Sequence, residues 1–172
     1  MNLTRRRCLA LATGLVATVS SGAAFAAGRS IAVSLWDSGD MALHDNAGGM
    51  MMGMAMGGGA AGQAMVKAHM GIRLSSRTVR AGELTFNVRN DSKILAHEMV
   101  VSPIKNGKTP LPYIQKENKV DEKAAVALGE VAELEPGKSG ALKLTLKRGR
   151  YILYCNVAGH YAHGMWTVLT VT

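Results

Sequence analysis

Tyr154-Cys155-Asn156-Val157-Ala158-Gly159-His160-Tyr161-Ala162-His163-Gly164-Met165 puts a thiol, an imidazole and a thioether into one short run spaced C-x4-H-x4-M. Soft sulfur donors select copper, and imidazole suits it as well. The flanks of the run decide the fold. Tyr151-Ile152-Leu153-Tyr154-Cys155 is nearly all apolar, as a buried strand is, and Trp166 to Thr172 has the Thr and Val content of another strand. Cys155 therefore ends one strand and Met165 begins the next, with only His160 in the loop between them. Two imidazoles and a thiolate in a plane, with a weak axial Met, make a recognised copper geometry. The loop supplies one imidazole, so the second must come from elsewhere. His97, in Ile94-Leu95-Ala96-His97-Glu98-Met99-Val100-Val101, sits in a strand-like run far upstream.

Upstream of the loop the chain reads as short strands and turns. Ser30 to Trp36 alternates Ile31, Val33 and Leu35 with Ala32 and Ser34, and Asp37-Ser38-Gly39-Asp40 breaks it. Ala68 to Ser75 alternates Met70, Ile72 and Leu74 with His69, Gly71 and Arg73. Glu83 to Arg89 sets Leu84, Phe86 and Val88 inward. Asn90-Asp91-Ser92 is a turn, and Ile94 to Ser102 is the strand with His97 in its middle. Pro103 to Gly137 is the least regular part, because Pro110 and Pro112 block a central strand. It reads as a long surface excursion between two sheets, with a helical turn or two from Asp121, its cap. Ser139 to Arg148 alternates Leu142, Leu144 and Leu146 with Lys143, Thr145 and Lys147. Short strands with little helix predict an all-β Greek-key sandwich, with a long irregular excursion before the last strands.

With His97, Cys155, His160 and Met165 together, the chain after about residue 30 resembles the cupredoxin family of type 1 blue copper proteins. Its C-x4-H-x4-M spacing is similar to that of rusticyanin and auracyanin. The resemblance implies one type 1 copper per chain, held by those four residues, and a carrier that passes single electrons between redox protein partners. It also implies that His160, and not His163, is the loop imidazole. His163 would leave one residue between His and Met, too little chain to span two corners of a site, so it is expected to be exposed. Glu98 departs from the Asn that the family often holds there. Strand alternation turns its side chain away from His97. The backbone N–H of Asn156 is a candidate donor to the Cys155 sulfur, and Tyr154, Tyr161 and Trp166 are expected to pack around the site and exclude water. Four protein donors leave no open coordination position, which suits a carrier and not an enzyme.

The start of the 172-residue chain resembles an export signal. Residues 1–26 read as a signal peptide, with Arg5-Arg6-Arg7 before the apolar run from Leu9 to Val19 and Ala24-Phe25-Ala26 as the cleavage site. The basic start fits either the twin-arginine or the general secretory route. The apolar run is too short for a membrane span, which needs ~20 residues, so no permanent anchor is expected. Residues 27–172 then form a single periplasmic domain, read as a monomer. Cleavage removes three arginines and no acid, so the net charge falls from +8 to +5. That balance favours acidic partners at encounter, and the scattered basic residues carry no nucleic-acid signature. Cleavage also removes Cys8, leaving Cys155 alone in an oxidising compartment, where an unoccupied thiol is a liability.

One segment fits no strand. Residues 41–66 hold Met41, Met50, Met51, Met52, Met54, Met56 and Met65 among glycines, with His44 inside and His69 and Met70 just beyond. It reads as a glycine-rich loop, as thioethers that catch Cu(I), or as an adaptable docking patch; composition does not separate these. The second reading makes the alternative function a periplasmic copper-handling protein that binds or delivers Cu(I). A copper oxidase or nitrite reductase domain would need further histidine clusters than five histidines provide.

Overall fold

The computed structural model describes residues 29–39, 69–105 and 110–172. The expected signal peptide, Cys8, His44 and the Met/Gly-rich segment at 41–66 lie outside the described residues. The elements in chain order are β1 (Arg29–Asp37), β2 (Met70–Leu74), β3 (Thr78–Val79), β4 (Gly82–Asn90), β5 (His97–Pro103), β6 (Tyr113–Ile114), β7 (Lys119–Val120), α1 (Glu122–Ala125), β8 (Gly129–Leu134), β9 (Ser139–Leu146), β10 (Gly149–Tyr154) and β11 (Trp166–Val171). They form a Greek-key β-sandwich. One sheet runs β2-β1-β4-β9, the other β3-β11-β10-β5-β8, and β6-β7 is a small ribbon beside them.

Period-two patterning explains the first sheet. Ile31, Val33 and Leu35 of β1 and Leu84, Phe86 and Val88 of β4 are buried, while Glu83, Asn87 and Arg89 face solvent. The inward set packs on Met99, Val101, Tyr151, Leu153, Leu169 and Val171 of the second sheet. Each such side chain contributes ~1.5–3 kcal/mol on burial. β1 and β4 pair in parallel, with Ile31 opposite Phe86 and Val33 opposite Val88, so the two apolar rows lie on the same face.

The second sheet is covered on both faces. Val100, Ile152 and Tyr154 point away from the first sheet into a second cluster with Leu111, Val120 and Ala125 of the excursion and Tyr161 of the ligand loop. The excursion is therefore more than a surface connection: it roofs this face. Asp121 caps α1 as expected, accepting from the Ala124 N–H at 3.0 Å, and Val126 in the left-handed region (φ 57°) ends the helix. Residues Gly129–Leu134 then add β8 to the sheet beside β5. That strand has no clear signature, because Val131 alone among its side chains is buried.

Candidate metal centre

His97 is the first residue of β5, not a mid-strand residue as its apolar neighbours suggest. Two side chains stop the strand from starting earlier. Ser92 Oγ accepts the N–H groups of Ile94 and Leu95 at 3.1 and 2.9 Å, which turns that run. Asn90, fully buried at the end of β4, donates from Nδ2 to the carbonyls of Leu95 and Leu134 at 2.8 and 2.7 Å. Leu134 lies opposite His97 in β8, and the register slips between His97 and Met99. His97 thus enters the space between the sheets at an irregularity held from both sides.

The other donors come from the β10–β11 connection. Cys155 follows β10 and Met165 precedes β11, and the Cys155 N–H donates to the Met165 carbonyl at 3.0 Å, which carries the strand pairing one step further. Inside, the Met165 N–H bonds the His160 carbonyl and the His160 N–H bonds the Val157 carbonyl, each at 3.0 Å. Gly159 (φ 84°) and Gly164 (φ 88°) take the left-handed conformations that this tight winding needs.

Three donors converge. His97 Nδ1 lies 3.2 Å from His160 Nδ1, and His160 Nδ1 lies 3.4 Å from Cys155 Sγ. All three ligand atoms fall within 4.8 Å of one another, and all three residues are buried. Imidazole nitrogen and thiolate sulfur bound at ~2.0–2.3 Å to one ion stand ~3.3–3.7 Å apart. The observed spacings fit one soft ion among them. Met165 is fully buried in the same inter-sheet core as Cys155.

The surroundings of the sulfur differ from expectation. The backbone N–H of Glu98, not that of Asn156, donates to Cys155 Sγ, at 3.4 Å. Burial pushes the Cys155 thiol up to about 12, against the opposing pull of the Glu98 and Val157 backbone N–H groups. A metal that takes the thiolate must therefore displace a firmly held proton. Asn156 works through its side chain instead. Its Oδ1 accepts the Val120 N–H at 2.6 Å, and its Nδ2 donates to the Val120 carbonyl at 3.1 Å and to Glu122 Oε1 at 2.7 Å.

The aromatic residues also sit elsewhere than around the donors. Tyr154 and Tyr161 are buried in the second cluster, edge to face at 5.8 Å, and Trp166 is partly buried against it. Tyr161 Oη accepts the Leu111 N–H at 3.0 Å, and the Gly159 N–H reaches the Asn118 carbonyl at 2.7 Å. These contacts anchor the ligand loop to the excursion. His163 is half-buried rather than exposed, and its Nδ1–H donates to the Gly159 carbonyl at 2.7 Å, outside the donor cluster.

Asp37 escaped the sequence reading except as a strand breaker. Its Oδ2 lies 2.9 Å from His97 Nε2, with both side chains buried. Burial raises the Asp37 carboxyl, but hydrogen bonds from Ser92, His97 and the Gly39 backbone outweigh it and hold it below the usual carboxylate range.

No family profile and no curated protein sequence matches the chain. Among solved structures it is similar to rusticyanin from Thiobacillus ferrooxidans, with a TM-score of 0.50 and 14% identity over 83% of this chain and 76% of that one. Reduced rusticyanin gives 0.51 at the same identity, over 83% and 78%. Auracyanin from Roseiflexus castenholzii is 24% identical over 58% of this chain and 86% of that one, with a TM-score of 0.41. The rusticyanin likeness establishes a cupredoxin fold, and the His-Cys-His cluster within it fits a blue copper site.

Proposed function

We propose that the chain is an exported, periplasmic blue copper protein that carries single electrons between redox protein partners. His97, His160, Cys155 and Met165 would hold the copper. The carrying observation is the convergence of two imidazole nitrogens and one thiol within 4.8 Å in a buried site. Copper bound there would supply the one-electron Cu(II)/Cu(I) couple. The protein's own contribution is rigidity. Cys155 and Met165 are tied to each other and to β10 and β11, and His97 is fixed through Asn90 and β8. Donors held on rigid elements move little between oxidation states, which favours fast exchange. Four protein donors would leave no open coordination position for a substrate, in keeping with a carrier rather than an enzyme. We further propose that the chain acts as a monomer, binds no nucleic acid and keeps no membrane anchor. Among the described residues, no helix is long and apolar enough to cross a membrane.

One observation favours copper handling as a second reading. Asp37 pairs with Met70 across β1 and β2, and the Ser38 N–H bonds the His69 carbonyl at 2.7 Å. Both ends of the Met-rich connection are therefore fastened next to the residue that bonds His97.

The visible spectrum of the copper-loaded protein tests the main reading. The parent is expected to show the intense cysteine-to-Cu(II) charge-transfer band, and Cys155→Ser to lose it while keeping the β-sheet circular dichroism of the parent. A parent without the band, or a variant that keeps it, rules out Cys155 as the thiolate ligand.

A further inference from the structure

Asp37 and His97 form a buried pair linking the end of β1 to the start of β5. The side chain of His97 is 0% exposed and that of Asp37 4%. Two donors besides His97 hold the carboxylate: the Gly39 N–H reaches Oδ1 at 2.7 Å, and the Ser92 side chain bonds it as well. With Oδ1 turned to Gly39, Oδ2 faces His97 Nε2 at 2.9 Å. An ionised carboxylate only accepts, so the proton of this contact sits on Nε2. A neutral imidazole carries one N–H, so Nδ1 is left with its lone pair. That is the nitrogen 3.2 Å from His160 Nδ1, inside the donor cluster.

We infer that Asp37 is a positioning residue of the metal centre: its buried carboxylate locks His97 with Nδ1 available to the metal and sets a negative charge one imidazole away from it. The inference rests on the reading of His97, Cys155 and His160 as a copper site. A carboxylate behind a ligating imidazole makes the ring a stronger donor. The added negative charge stabilises Cu(II) more than Cu(I). Asp37 therefore lowers the reduction potential as well as orienting the ring.

Two variants separate these roles. Asp37→Asn keeps the size and an acceptor for His97 but deletes the charge. Asp37→Leu deletes both. Loss of such an outer partner typically costs about 10–100-fold in metal affinity. We expect Asp37→Asn to weaken Cu(II) by about tenfold relative to Cu(I), read directly by chelator competition in each oxidation state. Each tenfold difference raises the reduction potential by about 59 mV for a one-electron couple. Nitrogen-15 NMR of the metal-free protein is a readout that needs no copper. His97 should be the Nε2–H tautomer in the parent and in Asp37→Asn, and a mixture in Asp37→Leu. An Asp37→Asn protein whose potential and affinity ratio match the parent overturns the charge effect, and with it the proposal. A mixed tautomer in the parent overturns the orienting role. A parent that shows the locked tautomer but takes up no copper sinks the copper reading, and with it a metal-positioning role for Asp37, while leaving the Asp37–His97 hydrogen bond itself established.

Discussion

Glu98 shows how one residue can serve the site with its backbone and load the fold with its side chain. Its N–H donates to Cys155 Sγ. Its carboxyl, 9% exposed on the opposite face of β5, is pushed up from 4.5 to about 7. Burial is the main cause; Lys119 opposes it, and Glu122, Glu130 and Glu133 reinforce it. Between pH 4.5 and about 7 the folded chain holds a proton that the unfolded chain has released. Folding stability of the metal-free protein therefore falls as pH rises through that window, by up to about tenfold in the folding constant per pH unit. Above about 7 both states are ionised at this position and the slope from Glu98 ends. Glu98→Gln keeps the backbone bond to sulfur and removes the titration. The variant should show a flatter stability profile across the window and greater stability than the parent above it. Urea unfolding of both metal-free proteins across that range checks this, and an unchanged slope in the variant would assign the pH dependence to other groups.

At the scale of elements, the decisive arrangement is a loop held from behind. The ligand loop touches β7 through Asn156, whose side chain pairs with both backbone groups of Val120 as another strand would. Asn156→Ala leaves that buried N–H and carbonyl without this partner, at about 1–3 kcal/mol for each group. The metal-free variant should lose about 2–6 kcal/mol of stability, with faster amide exchange at Val120 and His160. Parent-like exchange at His160 would mean that the excursion does not brace the loop. This brace was not legible in the sequence, since Asn156 and Val120 are 36 positions apart and nothing local pairs them. Elements with one wet and one dry face were legible: β1 and β4 alternate, and their expected limits fall within a residue of the observed ones. β5 was placed but started too early, because both its faces are buried and the apolar run hides the turn that Ser92 makes. β8 escaped because Val131 alone among its side chains is buried, so no two-residue alternation marks it. Three of the proposed donors were readable because they crowd into one loop. Asp37 was not, since its partner lies 60 positions away.

At the scale of the whole molecule, the open question is how the β1–β2 connection relates to the site that β5 and the ligand loop build. The connection leaves β1 beside Asp37 and rejoins the fold at His69 and Met70, so its ends are fastened to each other and to the partner of His97. Its methionines supply none of the four donors proposed for the centre. His97, Cys155 and His160 already converge, and Met165 is buried with Cys155, so the site proposed above calls on no thioether from residues 41–66. Soft thioethers in that connection would still offer Cu(I) a second place to bind. Replacing Met50, Met51, Met52, Met54 and Met56 with Leu removes those donors and keeps side chains of similar volume. The substituted protein is expected to bind one copper tightly, to keep its charge-transfer band, and to exchange electrons with small redox partners at nearly the parent rate. Uptake of Cu(I) beyond one equivalent should fall. Cu(I) stoichiometry under a competing chelator and stopped-flow oxidation and reduction measure the two halves of this expectation. Collapse of the band or of the exchange rate would place the segment in the primary site, against the division drawn between them. Intact redox behaviour, combined with copper sensitivity in cells that carry the substituted protein, would make handling the main role and electron transfer the secondary one.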